Sequence, residues 1–159
     1  MADSTKLAKA QAILNDICGA LDADDWHYER DDEKLIIQFS ARGEDLPLEF
    51  IYHIYPENQL VVLMSHLPFK IAENKRIDLA IVTSIINNKI VNGSFDLNVS
   101  SGTLLFRITQ SYNDSVIDPE QYIFMLRLAA YTVDKYNDKF LMISKDMLSL
   151  EQFIQSENN

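Results

Sequence analysis

Three histidines, one cysteine and a run of carboxylates are the residues of this chain that could carry chemistry. His27, His53 and His66 would suit metal binding or proton transfer, because imidazole ligates zinc and titrates near neutrality. In the strand pattern set out below, all three fall on one sheet face. His27 and His53 lie two strands apart, about 10 Å, and His66 pairs with Glu49, about 13 Å along the strand from His53. Zinc needs its ligands within about 2.3 Å of one point, so the three cannot share one. They read as partly exposed strand residues, and no metal site is expected.

Cys18 falls in the apolar stripe of a helix, with the acid Asp16 as its nearest ionisable neighbour. A nucleophilic thiol wants an electropositive, accessible setting, so a packed or interface thiol is expected. A lone cysteine forms no intramolecular disulfide, and the cytoplasm is the default compartment. The stretch Asp22 to Glu33 holds Asp22, Asp24, Asp25, Glu29, Asp31, Asp32 and Glu33 against Arg30, which is −6 of the formal −10. It lacks the alternating ligands and central glycine of a calcium loop. It reads as a solvated turn region, or as a docking surface for a basic segment. Gly19, Gly43, Gly93 and Gly102 are too scattered for a phosphate loop, a dinucleotide fingerprint or a glycine-flanked serine. No catalytic residue and no cofactor are assigned, and the chain is not expected to be an enzyme.

The elements that carry these residues follow from periodicity. With 159 residues, 47% of them hydrophobic, the chain suits one domain spanning 1–159. Residues 5–21 place Leu7, Ala10, Leu14, Ile17 and Leu21 on one helical stripe, widened by Ile13 and Cys18, with Ser4 or Thr5 as cap. Four short strand-like runs follow: WHYER, KLIIQFSA, LPLEFIYHIY and QLVVLMSH. Two-residue turns at Asp31-Asp32 and Gly43-Glu44 pair Tyr28 with Leu35, Trp26 with Ile37, Ile37 with Phe50 and Phe39 with Leu48. A tight turn at Glu57-Asn58 pairs Tyr52 with Leu63 and Ile54 with Val61. One face then gathers Trp26, Tyr28, Leu35, Ile37, Phe39, Leu48, Phe50, Tyr52, Ile54, Val61 and Leu63 as core. The other is polar along the first strand and apolar toward the fourth. It leaves a patch of Ile36, Ile51, Tyr55, Val62 and Met64 that needs a cover, either a helix of the same chain or a partner.

A second helix is expected over 72–91, with Ile77, Ile81, Ile85 and Ile86 on one side and Asn92-Gly93 as its cap. A hairpin about Ser101-Gly102 pairs Phe95 with Ile108, Leu97 with Phe106 and Val99 with Leu104, and sets Asp96 against Arg107. Asp118-Pro119-Glu120-Gln121 starts a third helix, Gln121 completing a capping box. That helix is apolar on more than one side, which implies burial on two fronts. Ser149-Leu150-Glu151-Gln152 caps a short terminal one. The fold class is α+β: an antiparallel sheet of a four-stranded meander plus a hairpin, packed with three main helices in the order α-ββββ-α-ββ-α. The acidic balance disfavours nucleic acid and anionic membranes. No apolar run reaches the length of a membrane span.

The run NKRIDLAIVTSIINNKIVNGSFDLNVSSGTLLFRITQS, followed by DPEQYIFMLRLAAYTVDKY, resembles the YbjN family of bacterial proteins, labelled sensory transduction regulators. The likeness spans roughly residues 5 to 140: a helix ending in Asn-Gly, a Phe-Asp-Leu strand, a Leu-Leu-Phe-Arg strand and a capped helix. The element order is similar to the fold of type III secretion chaperones. The resemblance implies a small, acidic, cytoplasmic non-enzyme. The chaperones dimerise and hold unfolded client segments along apolar surfaces. The expected function is therefore a protein-interaction module, chaperone-like or regulatory and homodimeric, with Ile36, Ile51, Tyr55, Val62 and Met64 meeting a protein partner or client. The alternative is a small-ligand sensor with a pocket between sheet and helices, lined by Tyr52, Trp26 and Tyr28.

Overall fold

A computed structural model describes residues 3–158. Helix α1 (Ser4–Ala23) is followed by β1 (Glu29–Asp31), β2 (Ile36–Arg42), β3 (Pro47–Tyr55) and β4 (Leu60–Lys70). Next come a single 3₁₀ turn (Glu73–Lys75), α2 (Arg76–Asn87), β5 (Ser94–Leu97), β6 (Thr103–Ser111), α3 (Pro119–Ser144) and α4 (Leu150–Glu157). Meander and hairpin join into one antiparallel sheet of six strands in the order β1-β2-β3-β4-β6-β5. The expected α+β architecture holds.

Strands β2, β3 and β6 bury alternate residues, as a sheet with one covered face demands. Ile37, Phe39, Leu48, Phe50, Tyr52, Ile54, Val61 and Leu63 are buried in one hydrophobic cluster with Leu104, Phe106 and Ile108 of β6. Ala10, Leu14, Ile17 and Leu21 of α1 and Tyr122, Leu126, Val133 and Phe140 of α3 complete it from above. Trp26 and Tyr28 lie at its half-buried margin. Leu7, placed in the same stripe, is instead 47% exposed.

Registers hold where turns are tight and slip by even steps where they are not. Tyr52 faces Leu63 and Ile54 faces Val61, as the spacing requires. Between β2 and β3 the pairs are Ile37–Tyr52 and Phe39–Phe50, two residues from expectation. There the loop is longer, and its Glu44 N–H donates to Asp134 of α3 at 2.9 Å. Between β1 and β2 the slip is four residues, with Arg30 opposite Ile37. The Asp31-Asp32 turn does not form. Asp31 accepts the Lys34 N–H at 2.9 Å and pairs with its ammonium, and Leu35 takes φ 56°, so the connection spans four residues. An even slip preserves the two faces, which is why the core survives each error.

Further expectations need correction. Strand β4 runs past His66 to Lys70, with a register irregularity between those residues. Pro68 lies within it, where the missing N–H is tolerated only at a bulge or edge. Helix α2 ends at Asn87, short of Asn92-Gly93, and turns Leu79, Val82, Thr83 and Ile86 inward. Ile77 and Ile81 face out, 65% and 42% exposed. In that rotation Arg76 donates to the carbonyls of Ile71, Val99 and Ser100. In the hairpin Phe95 faces Phe106 and Leu97 faces Leu104, leaving Val99 in the loop. Gly102 takes φ +76° there, and a Cβ would collide with the Ile71 carbonyl oxygen. Arg107 and Asp96 are diagonal rather than opposite, yet still pair at 2.8 Å. Asp3 rather than Ser4 or Thr5 caps α1, accepting the Thr5 N–H. Asp118 caps α3 through the Glu120 N–H with Pro119 at the first turn, and the Ser149–Gln152 capping box forms as expected.

The early end of α2 has a use. Asn87 donates to the Phe95 carbonyl at 2.9 Å and accepts the Phe95 N–H at 2.8 Å, so its amide stands in for a neighbouring strand along the free edge of β5. Open edges invite pairing with other chains. Asn87→Ala removes both bonds and leaves two backbone groups unpaired, at an expected cost of about 2 kcal/mol, read as a lowered urea midpoint with unchanged slope.

Candidate docking surface

The outer sheet face is built from cross-strand rows. One row runs Asp31, Ile36, His53, Val62 and Thr109. The next runs Glu29, Gln38, Ile51, Met64, Arg107 and Ser94. A third pairs Tyr55 with Leu60 and Ser111. The five residues singled out by pattern, Ile36, Ile51, Tyr55, Val62 and Met64, are thus brought together around His53. Val62 is 7% exposed, sheltered by its strand neighbours, and the other four are half-buried. None of the five belongs to the cluster that the helices form with the inner face. The chain's own helices therefore supply no cover for this patch among the described residues.

Its margin is acidic on one side. Glu29 and Asp31 end the two longest rows, and Glu49 lies opposite Ser40 at the end of β3. A shallow depression of about 490 Å³ includes Glu29, Gln38, Ser40, Glu49 and Ile51. The acidic stretch is exposed, as expected, apart from a half-buried Asp31, and several of its carboxylates are paired. Asp24 meets Arg127 and the Trp26 indole, Asp22 accepts from Tyr28, and Asp32 is held by Arg30 and Gln11. Hydrogen bonds from Lys34 hold the Asp31 carboxyl below the usual range, and those from Arg30 do the same for Asp32.

The remaining candidates fall apart or close up. Among the described residues no cluster of three or more His, Cys, Asp or Glu side chains is arranged to hold a metal ion. Cys18 is buried, and its close ionisable neighbour is Arg30, 3.7 Å away, rather than Asp16. Strand β1 passes beside α1 and brings the guanidinium there, a long-range placement invisible in local sequence. Tyr52 is fully buried against Phe39 and Tyr122 and donates to the Tyr122 carbonyl. Burial pushes its hydroxyl well above the ordinary tyrosine range. Trp26 and Tyr28 turn to Asp24 and Asp22 at the rim, so the three do not line a common pocket.

A second apolar surface was legible only as a helix greasy on too many sides. Phe124 and Tyr131 of α3 are 53% and 66% exposed. With Leu128, Ile90, Val91 and Lys135 they line a groove of about 390 Å³. No described helix is long and apolar enough to cross a membrane.

The sheet, its helix-covered inner face and its bare outer face define an α+β architecture of the type III secretion chaperone-like kind. The chain belongs to the YbjN family, whose model, described as "Putative bacterial sensory transduction regulator", matches residues 14–142. Two examples among the solved structures show the shared fold. One is YbjN from E. coli, titled a "putative transcription regulator", at 13% identity and TM-score 0.57, covering 77% of this chain and 86% of that one. The other is the ExsC-ExsE complex, at 8% identity and TM-score 0.53, covering 80% of this chain and 92% of its counterpart. No curated protein sequence matches.

Proposed function

We propose that this protein is a non-enzymatic interaction module of the bacterial cytoplasm with a chaperone-like or regulatory role, docking a basic, partly apolar segment of another protein on its outer sheet face. The uncovered patch of Ile36, Ile51, Tyr55, Val62 and Met64 carries this reading. A contiguous apolar face edged by charge marks an interaction site more often than idle surface. The occupant's chemistry follows from complementarity: the chain is −10 overall, and Glu29, Asp31 and Glu49 border the patch. Such a field speeds encounter with a basic segment, and apolar contact then holds it. Met64 suits a client of varied sequence, because an unbranched thioether adapts to irregular partners. Family membership supports a regulatory role, and the likeness to a chain crystallised as the ExsC-ExsE complex supports a protein as partner.

Self-association through the exposed α3 stripe is the second part of the reading, with Phe124 and Tyr131 as its anchors. Light scattering on the wild type is expected to count two subunits, and Tyr131→Glu to shift that count toward one.

Affinity capture from the native cell, run beside a Glu29→Gln, Asp31→Asn, Glu49→Gln variant, tests the docking. The wild type is expected to retain a partner whose recovery drops several-fold for the variant and at raised salt, since steering is screened within about 10 Å at 0.1 M ionic strength. A strict monomer that recovers no protein would overturn the proposal.

A further inference from the structure

The middle of the docking patch is the one place on it where charge can change near neutrality. His53 lies between Ile51 and Tyr55 along β3, opposite Ile36 on β2 and Val62 on β4. Its ring lies 4.0 Å from that of Tyr55, centroid to centroid. The polar pairings of this face, Gln38 with Glu29 and Arg107 with Asp96, leave it out. Charge stands only at a distance. On β1, Asp31, paired with Lys34, sits beyond Ile36, and Glu29 sits beyond Gln38. On β3, Glu49 is four residues back, and on β6, Arg107 lies beyond Met64. Strand β4 offers Leu60, Val62 and Met64, with His66 four residues past Val62.

We propose that His53 is a proton-operated gate on this face: neutral, it completes the apolar surface, and protonated, it sets a cation in the middle that expels a basic, apolar segment. The proposal rests on the docking reading above and adds its regulation. Burial holds the His53 imidazole below the usual histidine range. A docked segment removes more water from the ring, so docking and protonation oppose one another, and by linkage affinity falls as pH drops through the window below about 6.5.

Nile red, a neutral dye that reports apolar surface, serves as the probe, beside an NMR titration of the imidazole signals. The His53 resonance is expected to titrate below 6.5. Dye affinity of the wild type is expected to weaken from pH 7.5 to 5.5 by up to about tenfold, in step with the protonated fraction that the NMR titration reads. His53→Gln should hold the dye with little change over that range, and Val62→Glu should lose it at both ends. Loss by Val62→Glu with the same pH profile in wild type and His53→Gln would overturn the gate and leave the docking surface standing. Dye binding indifferent to Val62→Glu would overturn both, and a His53 that titrates at or above 6.5 would overturn the gate by itself.

Discussion

Ile51→Glu combined with Met64→Glu is expected to abolish partner capture, with at least a hundredfold loss of affinity, while the folded protein survives. The two residues are direct cross-strand neighbours at the middle of the outer face. Two carboxylates there desolvate without a partner under an apolar segment, and a central interface position costs about 2 kcal/mol or more each when spoiled. Neither side chain touches the helix-covered cluster. Both are half-buried on the open side, so the cost to folding is expected to be about 1 kcal/mol from cross-strand repulsion and lost β propensity. Circular dichroism and the urea midpoint separate the two effects. Near-wild-type stability with capture lost is the expected pair of results. Retained capture would move the docking site elsewhere, with the α3 groove next to be tested.

Tyr52→Ala is expected to remove about 4 kcal/mol of stability, the range of a large aromatic deleted from a closed core. The ring is fully buried, lies 6.1 Å from Phe39 and 6.5 Å from Tyr122 centroid to centroid, and its hydroxyl ties β3 to the backbone of α3. Set against a total of about 5–15 kcal/mol for a domain, that loss leaves about 1–11 kcal/mol, so the variant still folds but with a sharply lowered urea midpoint. Tyr52→Phe keeps the ring and removes only the hydrogen bond, at an expected cost of about 1 kcal/mol. Urea denaturation of the pair isolates the ring from the hydroxyl. Equal losses for the two variants would contradict the account of a core held mainly by packing.

Much of the arrangement was readable from residue order because β alternation is a two-state pattern. A slip of two or four residues, as at β1–β2 and β5–β6, alters which residues pair but not which face they occupy, so the inner core and the outer patch were both legible. What escaped was set by contacts distant in sequence. Asp134 of α3 holds the β2–β3 loop, and α2 turns Leu79, Val82 and Ile86 inward instead of Ile77 and Ile81. Asn87 spends its amide on Phe95 at the point where the helix stops. The isoleucine stripe of α2 offered two rotations of similar hydrophobicity, and the one adopted buries Leu79, Val82 and Ile86 with Arg76 and Asn87 tied to the backbone at either end. For the candidate site, the five patch residues could be named from pattern, whereas the place of His53 at their centre required the rows across β2, β3 and β4. The absence of a covering helix required the full set of packing contacts.

The most direct test is photo-cross-linking in the native cell from benzoylphenylalanine at position 64, with a matched probe at position 131. A partner on the outer face predicts adducts of a second protein from position 64, mapping to a segment rich in lysine, arginine and apolar residues, and self-adducts from position 131. Position 64 yielding no adduct, or the second protein arising from position 131 instead, would contradict the outer sheet face as the place where the partner docks.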